Sequence, residues 1–316
     1  MEAAVALAER GRGRTAPNPS VGCVIVKDGS VVGQGWTQPG GRPHAEAVAL
    51  EAAGDAARGA TVYTTLEPCC HESVRGPACS DLLVQAGVAK VVAAVTDPDP
   101  RMCGQGLERI RAAGIAVETG LLWEQAERTL TGFLTRVRLG RPYVTLKLAM
   151  SLDGKIALPS GESRWITGED ARAHVHHERA RADMILVGRG TYEADKPKLD
   201  VRLPGLEDWS PRRALLTRGE GVEGWTRFGS PEAVFDLGDV NDLLVEGGSG
   251  AASAFLTADL VDRLLIYRAP ILIGEGKSSI GYIGLTNLAE AHRRWQLTDS
   301  RMLGIDRLEV YERVRD

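Results

Sequence analysis

The pattern that most limits how this chain can fold is His44-Ala45-Glu46, followed at a distance by Pro68-Cys69 and by Cys79. An imidazole and two thiols that share one ion must meet around a common point. His44 opens HAEAVALEAAG, a run of helical composition ending at Gly54. Cys69 follows the strand-like ATVYTTLEP, and Cys79 begins CSDLLVQAG, a second helical run. Two helix starts and one strand end must therefore converge. A zinc dication held by one neutral imidazole and two thiolates is formally neutral. Three protein ligands leave the fourth tetrahedral position to water, the arrangement of a catalytic zinc. The metal brings the pKa of that water toward about 7, and a cysteine at a helix N-terminus ionises more easily. Glu46 lies two positions after His44 and does not share its helical face, so it is a poor second ligand. It suits a proton shuttle instead. A structural zinc would need a fourth ligand from Cys70 or His71, and would leave Glu46 without a role.

Around these residues the chain alternates helical and strand-like runs. Residues 1–11 predict a short helix, and VGCVIV and VVGQGW flank Asp28-Gly29, a hairpin signal. KVVAAV and IAVE read as strands, with a helix GLERIRAAG between them. Residues 121–139 predict one amphipathic helix, ended by Gly140-Arg141-Pro142. That break is where we expect the boundary between two α/β domains, 1–140 and 141–316. In the second half YVTLKLAM, DMILVG, RRALLT, DLLVEGG, VDRLLIYRAPILIG and DRLEVYERV are expected strands. Thr167 is expected to cap a helix over about 168–181, and 218–240 is left unassigned.

The 316 residues suit two domains, and a net charge of −4 with 5% aromatics argues against a nucleic-acid binder. A small-molecule substrate is expected. Five cysteines, two of them adjacent, fit metal ligation in a reduced cytoplasm better than a disulfide framework. Cys23 is expected in the core and Cys103 is expected to be incidental. No apolar run approaches the roughly 20 residues of a membrane span, and the N-terminus is too polar for a signal peptide.

His-x-Glu followed by Pro-Cys is the pattern of nucleobase zinc deaminases. TAPNPSVGCVIVKDGSVVGQGW, PGGRPHAEAVAL, VYTTLEPCCH, TDPDPRMCGQG, LKLAMSLDGKIA, SGESRWITG, VGRGTYEADKP, VEGG and LGIDRLEVYE run in order along nearly the whole chain. Together they resemble the bifunctional riboflavin-biosynthesis deaminase–reductases. The resemblance implies an N-terminal cytidine-deaminase-like α/β/α domain and a C-terminal dihydrofolate-reductase-like α/β domain. It implies zinc-dependent deamination of 2,5-diamino-6-ribosylamino-4(3H)-pyrimidinone 5′-phosphate. Reduction of the ribosyl chain of the product, with NADPH, follows. It also implies a homo-oligomer, dimer or tetramer.

By the same resemblance His44, Cys69 and Cys79 hold Zn²⁺, Glu46 shuttles protons, and Asn18, His71 and Arg75 meet the pyrimidine substrate. The Cys69–Cys79 loop, CCHESVRGPAC, is one residue longer than the family's usual form, and Ser73-Val74-Arg75-Gly76 replaces its Gly-basic-Thr segment. In the second half the substrate positions are Lys147, Ser163, Arg179, Leu199, Arg202 and Glu246. The NADPH positions are Ala149, Trp165, Thr191, Asp195, Gly248, Ser249 and Gly250, the last three opening a stretch that reaches about Ala254. Asp153 is expected to face this second site. Lys196 stands where the family has a second aspartate. Two other readings remain: a deaminase whose C-terminal domain is only a scaffold or oligomerisation module, and a tRNA or single-stranded DNA deaminase. A non-enzymatic zinc module is a third.

Overall fold

The computed structural model describes residues 1–71 and 75–315. It divides into two compact units, Met1–Arg141 and Pro142–Asp316. Ser73 and Val74 of the altered cysteine loop lie outside the described residues.

The first unit runs α1 (Glu2–Ala8), β1 (Gly22–Lys27), β2 (Ser30–Trp36), α2 (Ala45–Ala53), β3 (Thr61–Leu66), α3 (Cys79–Ala86), β4 (Lys90–Val95), α4 (Gln105–Ala112), β5 (Ala116–Thr119) and α5 (Trp123–Leu139). Among the described residues its sheet has the order β2-β1-β3-β4-β5. β1 pairs antiparallel with β2 and β3, and β3, β4 and β5 are parallel. Asp28 and Gly29 both take positive φ, 50° and 78°, as a tight hairpin turn between right-twisted strands requires. Helices α1 and α5 touch each other, and α2, α3 and α4 touch in series, giving two helical layers about the sheet. Cys23, Ile25, Val62, Leu66, Val91 and Phe133 form the core between them.

Gly33 and Gly35 share one face of β2, because strand side chains alternate. A Cβ at Gly33 would stand 2.2 Å from the Ala49 carbonyl oxygen, and one at Gly35 would stand 2.6 Å from that of Ala45. The two glycines and the small residues Ala45, Ala49 and Ala53 let α2 lie directly on the strand. That contact sets the position of His44 at the start of α2.

The second unit comprises β6 (Tyr143–Met150), β7 (Lys155–Ala157), α6 (Glu169–Ala180), β8 (Met184–Gly188), α7 (Arg189–Asp195), β9 (Arg212–Leu216), β10 (Thr226–Phe228), β11 (Asp242–Val245), α8 (Ser249–Thr257), β12 (Arg263–Arg268), β13 (Lys277–Ser278), β14 (Trp295–Leu303) and β15 (Asp306–Arg313). The main sheet has the order β10-β9-β8-β11-β6-β12-β15-β14, and β13 pairs with β7 apart from it. All neighbours from β10 to β12 are parallel, and β15 and β14 close the sheet antiparallel. Phe228, Phe255, Leu146 and Val245 are fully buried in its core.

Three expectations change here. Thr167 does not cap α6: the cap is Gly168, whose N–H donates to Asp306 Oδ2 at 2.6 Å, while Thr167 itself is buried. The strand expected to run through VDRLLIYRAPILIG stops at Arg268, where Pro270 has no N–H for a ladder. Four elements outside the unassigned stretch were not anticipated: β7, α7, β13 and β14. Helix α7 contributes no buried residue and β14 is exposed along most of its length, so neither shows an apolar period.

The seat of α2 gives a direct test. Replacing Gly35→Val should force α2 off β2, destabilise the first unit by about 1–3 kcal/mol and lower bound zinc below one per chain. Thermal melting with metal analysis checks this. Unchanged melting and full zinc would contradict it.

Candidate active sites

The first site lies where α2, β3 and α3 converge. His44 is the N-cap of α2 with extended backbone (φ −72°, ψ 162°), outside the helix proper. Its Nδ1 is 3.5 Å from Cys69 Sγ and 3.4 Å from Cys79 Sγ. The three ligand atoms lie within 4.8 Å of one another, and no other group of this kind occurs among the described residues. The distances fit the ion. With Zn–S about 2.3 Å and Zn–N about 2.0 Å at a tetrahedral angle, sulfur and nitrogen should stand roughly 3.5 Å apart.

One sulfur, that of Cys69, is prepared as a thiolate. Cys79 occupies the first position of α3, and its N–H donates to Cys69 Sγ at 3.3 Å. In the metal-free pair, hydrogen bonding from Cys79 and His44 holds the Cys69 thiol down at about 4, whereas its partner Cys79 is pushed up by sharing that proton and by burial. A dication between them lowers both. Cys70 points elsewhere: its Sγ lies 3.9 Å from the Arg101 carbonyl oxygen and 3.8 Å from Met102 Sδ. His71 is exposed and stands outside the three-ligand group. Neither fills a fourth corner.

Glu46 is buried, and Thr64 Oγ1 approaches its Oε1 at 3.4 Å. Burial raises the Glu46 carboxyl from its ordinary value; His44 opposes the rise and Cys69 adds to it. A carboxyl shifted upward holds a proton more readily than a free one. Asn18 closes the adjacent wall, with Nδ2 2.7 Å from the Gly41 carbonyl oxygen and 3.4 Å from His44 Nε2. Gly41 has φ +82°, and a Cβ there would come 2.7 Å from Asn18 Cγ, so only glycine leaves Asn18 in place. Arg75 Nη2 donates to the Gly40 carbonyl at 2.7 Å, which sets this exposed arginine beside the same wall.

Sequence reasoning missed Glu67. Its buried carboxylate accepts the N–H groups of Asp97, Gly104, Gly106 and Leu107 at 3.2, 3.0, 2.9 and 3.4 Å. The clamp fixes the loop carrying Met102, which packs against Cys69, Cys70 and Cys79. Its signal was the Glu in T-L-E-P-C, one residue before the proline. Cys23 is buried in the core and Cys103 is exposed.

The second site gathers at the carboxyl ends of the parallel strands β8, β11 and β6, where open α/β sheets hold ligands. Glu246 follows β11 directly. Its carboxylate accepts Arg179 Nε at 2.6 Å and Nη2 at 3.0 Å, and Lys147 Nζ stands 3.7 Å away. Burial pushes Glu246 up, but Arg179 and Lys147 outweigh it and hold the carboxyl at about 2. Burial lowers the Lys147 ammonium, against the pull of Glu246. Arg179 Nη1 also donates to the Asp200 carbonyl at 2.9 Å.

The remaining expected residues are placed unevenly. Gly248 N–H donates to Thr191 Oγ1 at 2.9 Å, tying the start of α8 to α7. A Cβ at Gly248 would fall 2.9 Å from that hydroxyl. Ser249 and Gly250 open α8. Ala149 is half-buried on β6. Trp165 is 66% exposed with the Arg172 guanidinium 4.6 Å from its ring, so it is not a core residue. Asp195 Oδ1 receives Arg164 Nη2 at 3.4 Å, and Lys196 beside it takes the left-handed C-cap of α7. Ser163 is half-buried two positions before Trp165. Arg202 is exposed and pairs with Asp200 at 3.5 Å. The Leu199 side chain is buried among Ile185, Val187 and Leu215 at φ +56°, which leaves only its main chain for a ligand. Asp153 does not join the cluster: its oxygens accept Ser151 Oγ at 2.6 Å and the N–H groups of Ile273 and Gly274 at 3.2 and 2.7 Å.

Two α/β units, one with a three-ligand metal corner beside a buried carboxyl and one with a charged cluster at a glycine-led helix start, define a zinc deaminase joined to a reductase. Residues 1–95 match the cytidine and deoxycytidylate deaminase zinc-binding region, and residues 142–307 match the RibD C-terminal domain. The riboflavin biosynthesis protein RibD of Haemophilus influenzae is 40% identical over 97% of this chain and 94% of its own length. That of Escherichia coli is 41% identical over 97% and 96%. The solved structure of Acinetobacter baumannii RibD matches with a TM-score of 0.91 at 36% identity, covering 99% of this chain and 98% of its own. A Thermotoga maritima diaminohydroxyphosphoribosylaminopyrimidine deaminase/5-amino-6-(5-phosphoribosylamino)uracil reductase matches at 0.89 and 32%, over 99% and 97%. The chain belongs to the RibD family of bifunctional deaminase–reductases. No helix among the described residues is long and apolar enough to cross a membrane.

The buried Glu246 gives a signed pH test. Its depressed pKa contributes stability that is present above the unfolded value and is lost as pH falls through about 2. Glu246→Gln should cost the second unit about 3–5 kcal/mol at pH 7, because Arg179 and Lys147 are left buried without their counter-charge. The difference from wild type should shrink steadily below about pH 4.5. Melting temperatures across pH check this; a difference independent of pH would contradict it.

Proposed function

We propose that this chain deaminates 2,5-diamino-6-ribosylamino-4(3H)-pyrimidinone 5′-phosphate. In this reading it then reduces the ribosyl chain of the resulting 5-amino-6-(5-phosphoribosylamino)uracil with NADPH. The observation that carries the first step is the set His44 Nδ1, Cys69 Sγ and Cys79 Sγ, spaced for tetrahedral zinc with the buried Glu46 beside it. Zinc held there by His44, Cys69 and Cys79 would supply Lewis-acid activation of water. Glu46 would take one proton from the attacking water and pass it to the ring nitrogen, then take the second from the new hydroxyl on the ring carbon and pass it to the amino group, which leaves as ammonia. Asn18 orients the pyrimidine beside His44, and His71 and Arg75 meet it from the cysteine loop.

In the second unit Lys147, Ser163, Arg179, Arg202, Glu246 and the main chain at Leu199 hold the substrate. NADPH would lie along Ala149, Trp165, Thr191, Asp195 and the start of α8 from Gly248 to Gly250. The cofactor supplies hydride, and the residues supply alignment and charge. The Glu246, Arg179 and Lys147 cluster and the tie from Gly248 to Thr191 support a working reductase over a scaffold.

We assign this activity to the cytoplasm, where free cysteines stay reduced. We also assign it to a homo-oligomer, dimer or tetramer. Leu297 and Met302 on the edge strand β14, with Ile305 next to it, are 49%, 60% and 70% exposed and suit a copy-to-copy contact.

Glu46→Gln separates the two activities. Ammonia release should fall by about 10²–10⁴, with one zinc retained and NADPH oxidation on the deaminated intermediate unchanged. Undiminished ammonia release would refute the assigned role of Glu46.

A further inference from the structure

Positive groups converge beside the 200–202 main chain, and one of them has no part in the account so far. His176 lies one turn before Arg179 on α6. Its Nδ1 is 3.1 Å from the Asp200 carbonyl oxygen and 3.2 Å from the Arg202 main-chain nitrogen. The same carbonyl accepts Arg179 Nη1 at 2.9 Å. One nitrogen cannot donate and accept at once, so Nδ1 makes one of its two contacts at a time. When Nδ1 accepts the Arg202 N–H, the hydrogen of the neutral ring sits on Nε2, which is then a donor.

The charges around it are unbalanced. Arg179, Arg202 and Lys147 face Glu246 and Asp200, an excess of positive charge before His176 is counted. Arg179 spends three N–H groups on Glu246 and Asp200 and keeps two of the five a guanidinium carries. Arg202 is held only by a 3.5 Å contact to Asp200 Oδ1, an oxygen that makes no hydrogen bond. Burial first, then Arg179 and Arg202, lower the His176 imidazole from its ordinary value, while Glu246 opposes them. An anion between the arginines would remove that penalty. Guanidinium forks and an imidazole N–H suit the several terminal oxygens of a phosphate monoester.

We propose that His176 completes an anion clamp with Arg179 and Arg202 that holds the phosphate of the reductase substrate. This rests on the reductase reading above. His176 is then a specificity residue for the phosphorylated over the dephosphorylated ribosylaminouracil.

The test uses the full chain with His176→Ala and His176→Gln. NADPH oxidation is followed on the 5′-phosphorylated and the dephosphorylated substrate, with NADPH affinity as the fold control. For the alanine variant we expect a KM for the phosphorylated substrate raised about tenfold or more. Its kcat, its NADPH affinity and its KM for the dephosphorylated substrate should hold. Glutamine, which keeps an N–H donor, should recover most of the loss. Equal losses on both substrates, or a kcat loss at constant KM, would overturn the clamp. If the wild-type chain reduces neither substrate, the reductase reading fails and ribose 5-phosphate binding decides the clamp alone. Binding weakened by His176→Ala would uphold it, and equal binding in both chains would overturn it.

Discussion

The meeting of one imidazole nitrogen and two sulfurs is the constraint on which the first unit depends. Cys79 is 1% and Cys69 9% exposed, so charge at this corner has little water to support it. Two thiolates and a dication cancel, and that cancellation makes burial tolerable. The surroundings serve the same corner. Gly33 and Gly35 seat α2 on its strand, the first amide of α3 faces Cys69, and Glu67 gathers four amides to fix the loop beneath Met102. Glu46 is excluded from the ligand set and kept dry, which leaves it free to move a proton.

The second unit solves a different electrostatic problem. No single carboxylate could stay ionised in so buried a place alone, and neither could the ammonium beside it. Glu246 stands against Arg179 and Lys147, and the group of three is stable as a unit. The parallel strands deliver it: Lys147 near the end of β6 and Glu246 after β11 are brought side by side by the register of those strands. The start of α8 follows Glu246 in the same loop.

Most of the α/β alternation was legible, because buried helices and strands must show apolar periods. The metal corner was legible because ligand chemistry admits few residue types and spacings. Other features left no such trace. Helix α7 and β14 bury almost nothing, so selection for a core did not pattern them. The α6 start is met by Asp306, a residue far along the chain, and no local capping signal could reveal that. The Leu199 side chain belongs to the core, and its left-handed backbone left no mark in the sequence. The Asp200 carbonyl, which organises Arg179 and His176, is a main-chain group and is silent in any sequence.

X-ray absorption at the zinc edge of the metal-loaded full chain tests the central claim most directly. The account predicts two sulfurs at about 2.3 Å and two lighter atoms at about 2.0 Å, one of them an imidazole nitrogen. A third sulfur or a second imidazole in the shell would mean a closed, four-ligand site, and the deaminase chemistry assigned to this corner would be wrong.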